Sequence, residues 1–108
     1  MVDSSIIPPL VEAKREQLEN LCREFSVLRL ELFGSAADGT FDPQRSDLDF
    51  LVEFERSPRM NAFHQFFGFE IALSDLFERK IDLVAAKAMS NPYFIESVNR
   101  NRKLLYAA

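Results

Sequence analysis

Cysteine, histidine and surplus positive charge are what this chain has least of. Cys22 is the only cysteine, so no intramolecular disulfide can form. His64 is the only histidine, and its apolar, aromatic surroundings suit a structural or exposed side chain better than a ligand or base. Thirteen lysines and arginines face seventeen aspartates and glutamates, for a net charge of -4. Affinity for a nucleic-acid backbone comes largely from basic side chains displacing counterions, so a long polynucleotide is excluded as a substrate. No apolar run approaches the roughly 20 residues of a membrane span, and nothing near Met1 reads as a signal peptide. The expectation is a cytoplasmic protein that neither enters a membrane nor carries repeats or interdomain linkers.

What is present fits one compact domain, 1–108: 108 residues, 47% hydrophobic, are enough for a single core. Residues Met1 to Ile7 read as a loose lead-in. Pro8 and Pro9 suit a helix entry, and Val11, Leu18, Leu21, Cys22 and Phe25 recur at helical spacing, which makes Cys22 a small core residue. Val27 to Phe33 alternates, with Leu28, Leu30 and Leu32 on one face and Arg29 and Glu31 on the other, as in a half-buried strand ending at Gly34. A short helical turn is expected at Ser35 to Ala37, then a loop through Gly39, Asp42 and Pro43, and a second strand from near Leu48. Ser57 and Pro58 predict the cap of a helix running to about Arg79, with Phe63, Phe66, Phe67, Ile71, Leu73 and Phe77 as its apolar face. Five phenylalanines between Phe63 and Phe77 either fill the core or form a partner or dimer surface. Ile81 to Ala85 predicts a third strand, and Asn91 and Pro92 open a last helix to about Leu105, carrying Phe94, Ile95 and Val98. The order predicts an α/β (α+β) fold: a small three-stranded mixed sheet with helices packed mainly on one face, leaving the other for chemistry.

The chemistry concentrates around Gly34-Ser35 and Ser46-Asp47-Leu48-Asp49. Glycine lets the backbone approach a ligand, and a serine heading a short helix offers its hydroxyl and N–H groups to phosphate; the plainer reading is a turn with a helix cap. Gly34 to Gly39 has P-loop spacing, but Thr40 and Phe41 stand where lysine and serine or threonine are required. On a strand, Asp47 and Asp49 share a face opposite Leu48, Phe50, Val52 and Phe54. At roughly 5 Å and an effective dielectric of about 20 they repel by about 3 kcal/mol, which a bound cation such as magnesium would relieve. Otherwise Ser46 and Asp47 cap a turn and Asp49 is a solvated strand residue. Asp82, in the apolar run Ile81-Asp82-Leu83, bears on that choice, because a third strand beside the second would bring three carboxylates together near the glycine corner.

Gly34-Ser35, Ser46-Asp47-Leu48-Asp49 and Ile81-Asp82-Leu83-Val84 together resemble the polymerase beta-like nucleotidyltransferase superfamily, specifically its MNT-type minimal branch. The resemblance spans about Pro9 to Leu105 and implies the nucleotidyltransferase fold. It implies that Gly34, Ser35 and Ser46 hold the nucleotide, and that Asp47, Asp49 and Asp82 are catalytic and bind two magnesium ions, with ATP as substrate. Asp82 would help deprotonate an attacking hydroxyl, and pyrophosphate would leave. Family members often act as antitoxins of HEPN-domain toxins, some by transferring AMP to a toxin tyrosine. The implied partner is therefore a HEPN toxin or another helical protein, in a homo- or hetero-oligomer. Asp38 stands where the family commonly has arginine, which opposes triphosphate binding if it faces the site, while Arg45 offers a replacement charge. Glu78 stands near a common helix-end glycine. Two further readings stay open: an antitoxin acting by contact with an impaired nucleotide site, and a catalytic subunit modifying a small molecule held by a separate protein.

Overall fold

The computed structural model describes residues 7–34, 42, 47–86 and 102–108. Its elements are α1 (Pro9–Glu12), α2 (Arg15–Glu24), β1 (Val27–Phe33), β2 (Leu48–Phe54), α3 (Ala62–Phe77), β3 (Ile81–Ala85) and β4 (Lys103–Ala107). Four strands form one sheet in the order β3-β2-β1-β4. β1 is antiparallel to both β2 and β4, whereas β2 and β3 are parallel. Parallel neighbours need a long crossover, and α3 supplies it.

The predicted three-stranded sheet therefore gains a fourth strand. Leu105 was assigned to the end of a helix because it lies seven residues from Val98, a spacing that suits a helical stripe. It instead belongs to β4, which covers the edge of β1 that would otherwise expose unpaired backbone groups. Residues 91–101 of that expected helix, the turn at Ser35 to Ala37, and most of the loop that follows lie outside the described residues.

One apolar cluster joins the described helices to one face of the sheet. Val11, Leu18 and Cys22 meet Phe69, Leu73 and Phe77 of α3 over Leu30, Leu32, Leu48, Phe50 and Leu83. Burial pushes the Cys22 thiol up to about 12, so it stays protonated and packs as a small apolar group. Phe69 packs against Phe25 and Phe54, with ring centroids 5.7 and 5.8 Å away. Gln65 ties this layer together, its buried amide donating to the carbonyls of Phe25 at 2.9 Å and Glu55 at 2.8 Å.

Several local expectations shift. The first helix is split at Ala13 and Lys14, and the Lys14 ammonium donates to the Leu76 carbonyl at 2.6 Å, closing the far end of α3. Asn61, not Ser57, caps α3, its side chain accepting from the His64 N–H at 2.7 Å; Ser57 Oγ accepts from the Arg59 N–H within the preceding turn. The helix stops at Phe77 because Glu78 takes a left-handed backbone, φ 51°. In β1 a bulge between Val27 and Arg29 reverses the phase, so Val27 is buried and Leu28 points outward. On α3 the predicted apolar face divides: Leu73 and Phe77 enter the core, while Phe63, Phe67 and Ile71 are exposed.

Candidate active site

Strand pairing brings the acidic residues together. Phe33 of β1 lies opposite Asp49 of β2, and Asp49 lies in register with Asp82 of β3. Paired residues share a face, so this row runs across the side of the sheet turned away from α3. Both aspartates stand near the starts of parallel strands, where the local backbone is held by the Leu48 N–H donating to the Lys80 carbonyl at 3.4 Å.

Gly34 closes the row at the end of β1. Its φ of 69° is left-handed, and a Cβ built there would strike the Asp49 carboxylate. Glycine is thus required twice, for the turn and for the close approach of backbone to carboxylate. Ser35, Ser46, Asp38 and Arg45 lie outside the described residues.

The electrostatics follow from this crowding. The Asp49 pKa is pushed up to about 6, first by burial, then by the negative charges of Asp82 and Asp47, and finally by a side-chain hydrogen bond with Asp82. Each effect favours the protonated, uncharged form of Asp49. Asp47, just before β2, has Oδ2 3.7 Å from the Lys80 ammonium. Sequence reasoning missed Lys80. Its only signal was a basic residue directly before the strand that carries Asp82.

Clustered carboxylates are the hard oxygen donors that a divalent cation prefers, and the raised proton affinity of Asp49 shows negative charge seeking neutralisation. Among the described residues, however, no group of three or more histidine, cysteine, aspartate or glutamate side chains is gathered as a metal site. Asp49 and Asp82 meet through a hydrogen bond while Asp47 leans toward Lys80. The donor chemistry fits a cation, but the three carboxylates are neighbours without a common centre.

Further along this face the sheet is covered. Phe33 and Leu51 are buried, with Val84 and Ala86 packed against them. Beyond them the buried Glu31 carboxylate accepts from Arg29 Nε at 3.2 Å and pairs with Arg102 Nε at 3.1 Å. Two guanidinium groups keep that burial from leaving an unpaired charge. A cavity of about 460 Å³ lies at the other end of β2, between Phe54, Arg56, Gln65 and Phe66. It lacks the facing carboxylates and the glycine corner, so the chemistry belongs to the Asp49 end.

Comparison with known proteins identifies the family. The family model for the nucleotidyltransferase domain matches residues 14–105. A Methanocaldococcus jannaschii protein named "Putative protein adenylyltransferase" is 34% identical over 95 residues, covering 88% of this chain and 93% of that protein. Among solved structures, a "putative minimal nucleotidyltransferase" superposes with a TM-score of 0.72 at 29% identity, over 93% of this chain and 97% of the other. A structure of a tri-AMPylated Shewanella oneidensis HEPN toxin in complex with MNT antitoxin matches with a TM-score of 0.63 over 90% of this chain and 72% of that one; at 17% identity it speaks for the fold alone. The family model over residues 14–105 and this archaeal relative show that the chain belongs to the nucleotidyltransferase domain family.

Proposed function

We propose that this chain is a magnesium-dependent protein adenylyltransferase acting as an antitoxin, which transfers AMP from ATP to a hydroxyl, most simply a tyrosine, of a HEPN-domain partner. The carrying observation is Asp49 in register with Asp82 across parallel strands, directly against the Gly34 turn. Asp47, Asp49 and Asp82 would hold the magnesium, which supplies charge neutralisation for the triphosphate and the leaving pyrophosphate. Gly34, with Ser35 and Ser46, would receive the phosphates, because a backbone without a side chain lets N–H groups approach them closely.

The acceptor hydroxyl attacks the α-phosphorus, its oxygen forms the new P–O bond, and the bond to pyrophosphate breaks. The hydroxyl proton needs an acceptor, and Asp82 would help remove it with the bound cation, because an ordinary aspartate with a pKa of about 4 is a weak base by itself. The HEPN-domain partner would present the acceptor hydroxyl. The adenylyltransferase name of the archaeal relative and the AMPylated toxin in the Shewanella complex support adenylyl transfer and a HEPN partner.

The test incubates the protein with a HEPN-domain protein from the same genome, α-labelled ATP and magnesium. Label on the partner with wild type, and none with Asp47→Asn plus Asp49→Asn, is the expected result. Neutralisation of the toxin by the double variant without any label would instead establish inhibition by contact.

A further inference from the structure

Asp47 and Lys80 stand immediately ahead of β2 and β3, one step before the pairs Leu48-Ile81 and Asp49-Asp82. The Leu48 N–H donates to the Lys80 carbonyl at 3.4 Å, and the two side chains meet with Asp47 Oδ2 3.7 Å from the ammonium. The contact sits at the acidic row itself, because the Asp47 charge is among those that act on Asp49. Yet the pair is loosely held. The Lys80 side chain is 80% and that of Asp47 43% exposed, and 3.7 Å is too long for a hydrogen bond. Such a contact contributes little to stability and is readily exchanged. The Arg29 and Arg102 guanidinium groups, by contrast, are taken up by the buried Glu31. Lys80 is a cation at the rim of the row on a flexible stem that lets it turn to another partner.

A divalent cation drawn to Asp49 and Asp82 meets two obstacles in this arrangement: the third carboxylate leans away, and a positive charge stands beside it. Both are removed when the ammonium leaves Asp47 for an anion. We propose that Lys80 is a positioning and phosphate-binding residue that changes partner as ligands bind, from the Asp47 carboxylate to the phosphate oxygens of the nucleotide, and so releases Asp47 to join Asp49 and Asp82 on the cation. An ammonium binds phosphate as a point charge, without the fixed geometry a guanidinium fork requires, so the exchange needs only a rotation of the lysine stem. Lys80 therefore opposes the cation by itself and favours the cation together with its nucleotide. A lysine that served only as a surface ion pair would not push the two affinities in opposite directions. The exchange presupposes the magnesium and nucleotide chemistry proposed above.

Calorimetric titration at low ionic strength reads the two affinities separately, first with manganese alone and then with α,β-methylene-ATP in saturating magnesium. A unit charge about 7 Å from a divalent ion, in largely aqueous surroundings, changes its binding constant by about three- to eightfold. Lys80→Met should accordingly bind manganese about three- to eightfold more tightly than wild type, and the nucleotide analogue at least about threefold more weakly. Lys80→Arg keeps the charge and should stay within about twofold of wild type for both ligands. Circular dichroism melts confirm that each variant is folded, as expected for so exposed a side chain. An unchanged affinity for either ligand in Lys80→Met, shifts of both in the same direction, or a Lys80→Arg protein that behaves like Lys80→Met would each overturn the proposal and leave the nucleotidyltransferase reading standing. Wild type that binds neither manganese nor the analogue would remove that reading and this proposal with it.

Discussion

Replacing Asp49 by asparagine should make the protein more stable while removing a group placed at the centre of the site. Asp49 titrates near 6 instead of near 4, with burial as the largest cause and the Asp82 and Asp47 charges next. A carboxyl whose folded pKa is raised favours folding only while protonated. Its contribution is full below about pH 4 and is lost as pH rises through about 6. Two units correspond to about 3 kcal/mol; partial exposure of the carboxylates to water reduces this to about 1–2 kcal/mol. Asparagine carries no charge and can still donate a hydrogen bond to Asp82, as the protonated acid does. Thermal unfolding followed by circular dichroism should show the variant melting about 5–10 °C above wild type near pH 7.5, with little difference near pH 4.5. Magnesium at millimolar levels should narrow the gap at the higher pH by raising the wild-type midpoint. An equal gain at both pH values, or a loss at pH 7.5, would refute the assignment of charge crowding to this row.

Gly34→Ala should cost about 1–2 kcal/mol from its left-handed backbone alone, and more because the new Cβ meets the Asp49 carboxylate; urea unfolding measures it. Glu78→Gly should stabilise by about 1 kcal/mol, since Glu78 ends α3 at φ 51° and its contact with Lys14, at 4.0 Å and largely exposed, contributes little. Gln65→Leu should cost about 2 kcal/mol or more by leaving the Phe25 and Glu55 carbonyls without their donor, read as a lower denaturant midpoint at unchanged slope.

The first three strands were legible because their signal is local. Val27 to Phe33, the start near Leu48, and Ile81 to Ala85 all appear where alternation and apolar runs predict them. The fourth was not, since Leu104 and Leu105 carry no alternation of their own and become a strand by pairing with β1. The helix entry was misassigned for a similar reason. Ser57 and Asn61 are both good capping residues, and Ser57 is taken up by a turn before the helix starts. The bulge that turns Leu28 outward left no mark in the hydrophobic pattern, which is why a regular alternation was expected there.

For the site, residue order alone supplied the glycine corner, the two aspartates of the Asp47-Leu48-Asp49 step, and a third in an apolar run. Those features depend on side-chain type and on the two-residue period of a strand, both properties of a short stretch of chain. Whether Asp82 stood beside Asp49 or away from it depended on which strand β3 joined and in which register. That was decided by packing the α3 crossover onto one face of the sheet and pairing β3 with β2, through contacts distant in sequence. The same packing sets how deeply Asp49 is buried and hence its affinity for a proton, and it determines that Gly34 has no room for a side chain. It also sends Phe69 and Phe77 inward and Phe63 and Phe67 outward. Desolvation and strand pairing arise only when remote segments meet, so no local pattern of residues could have specified them.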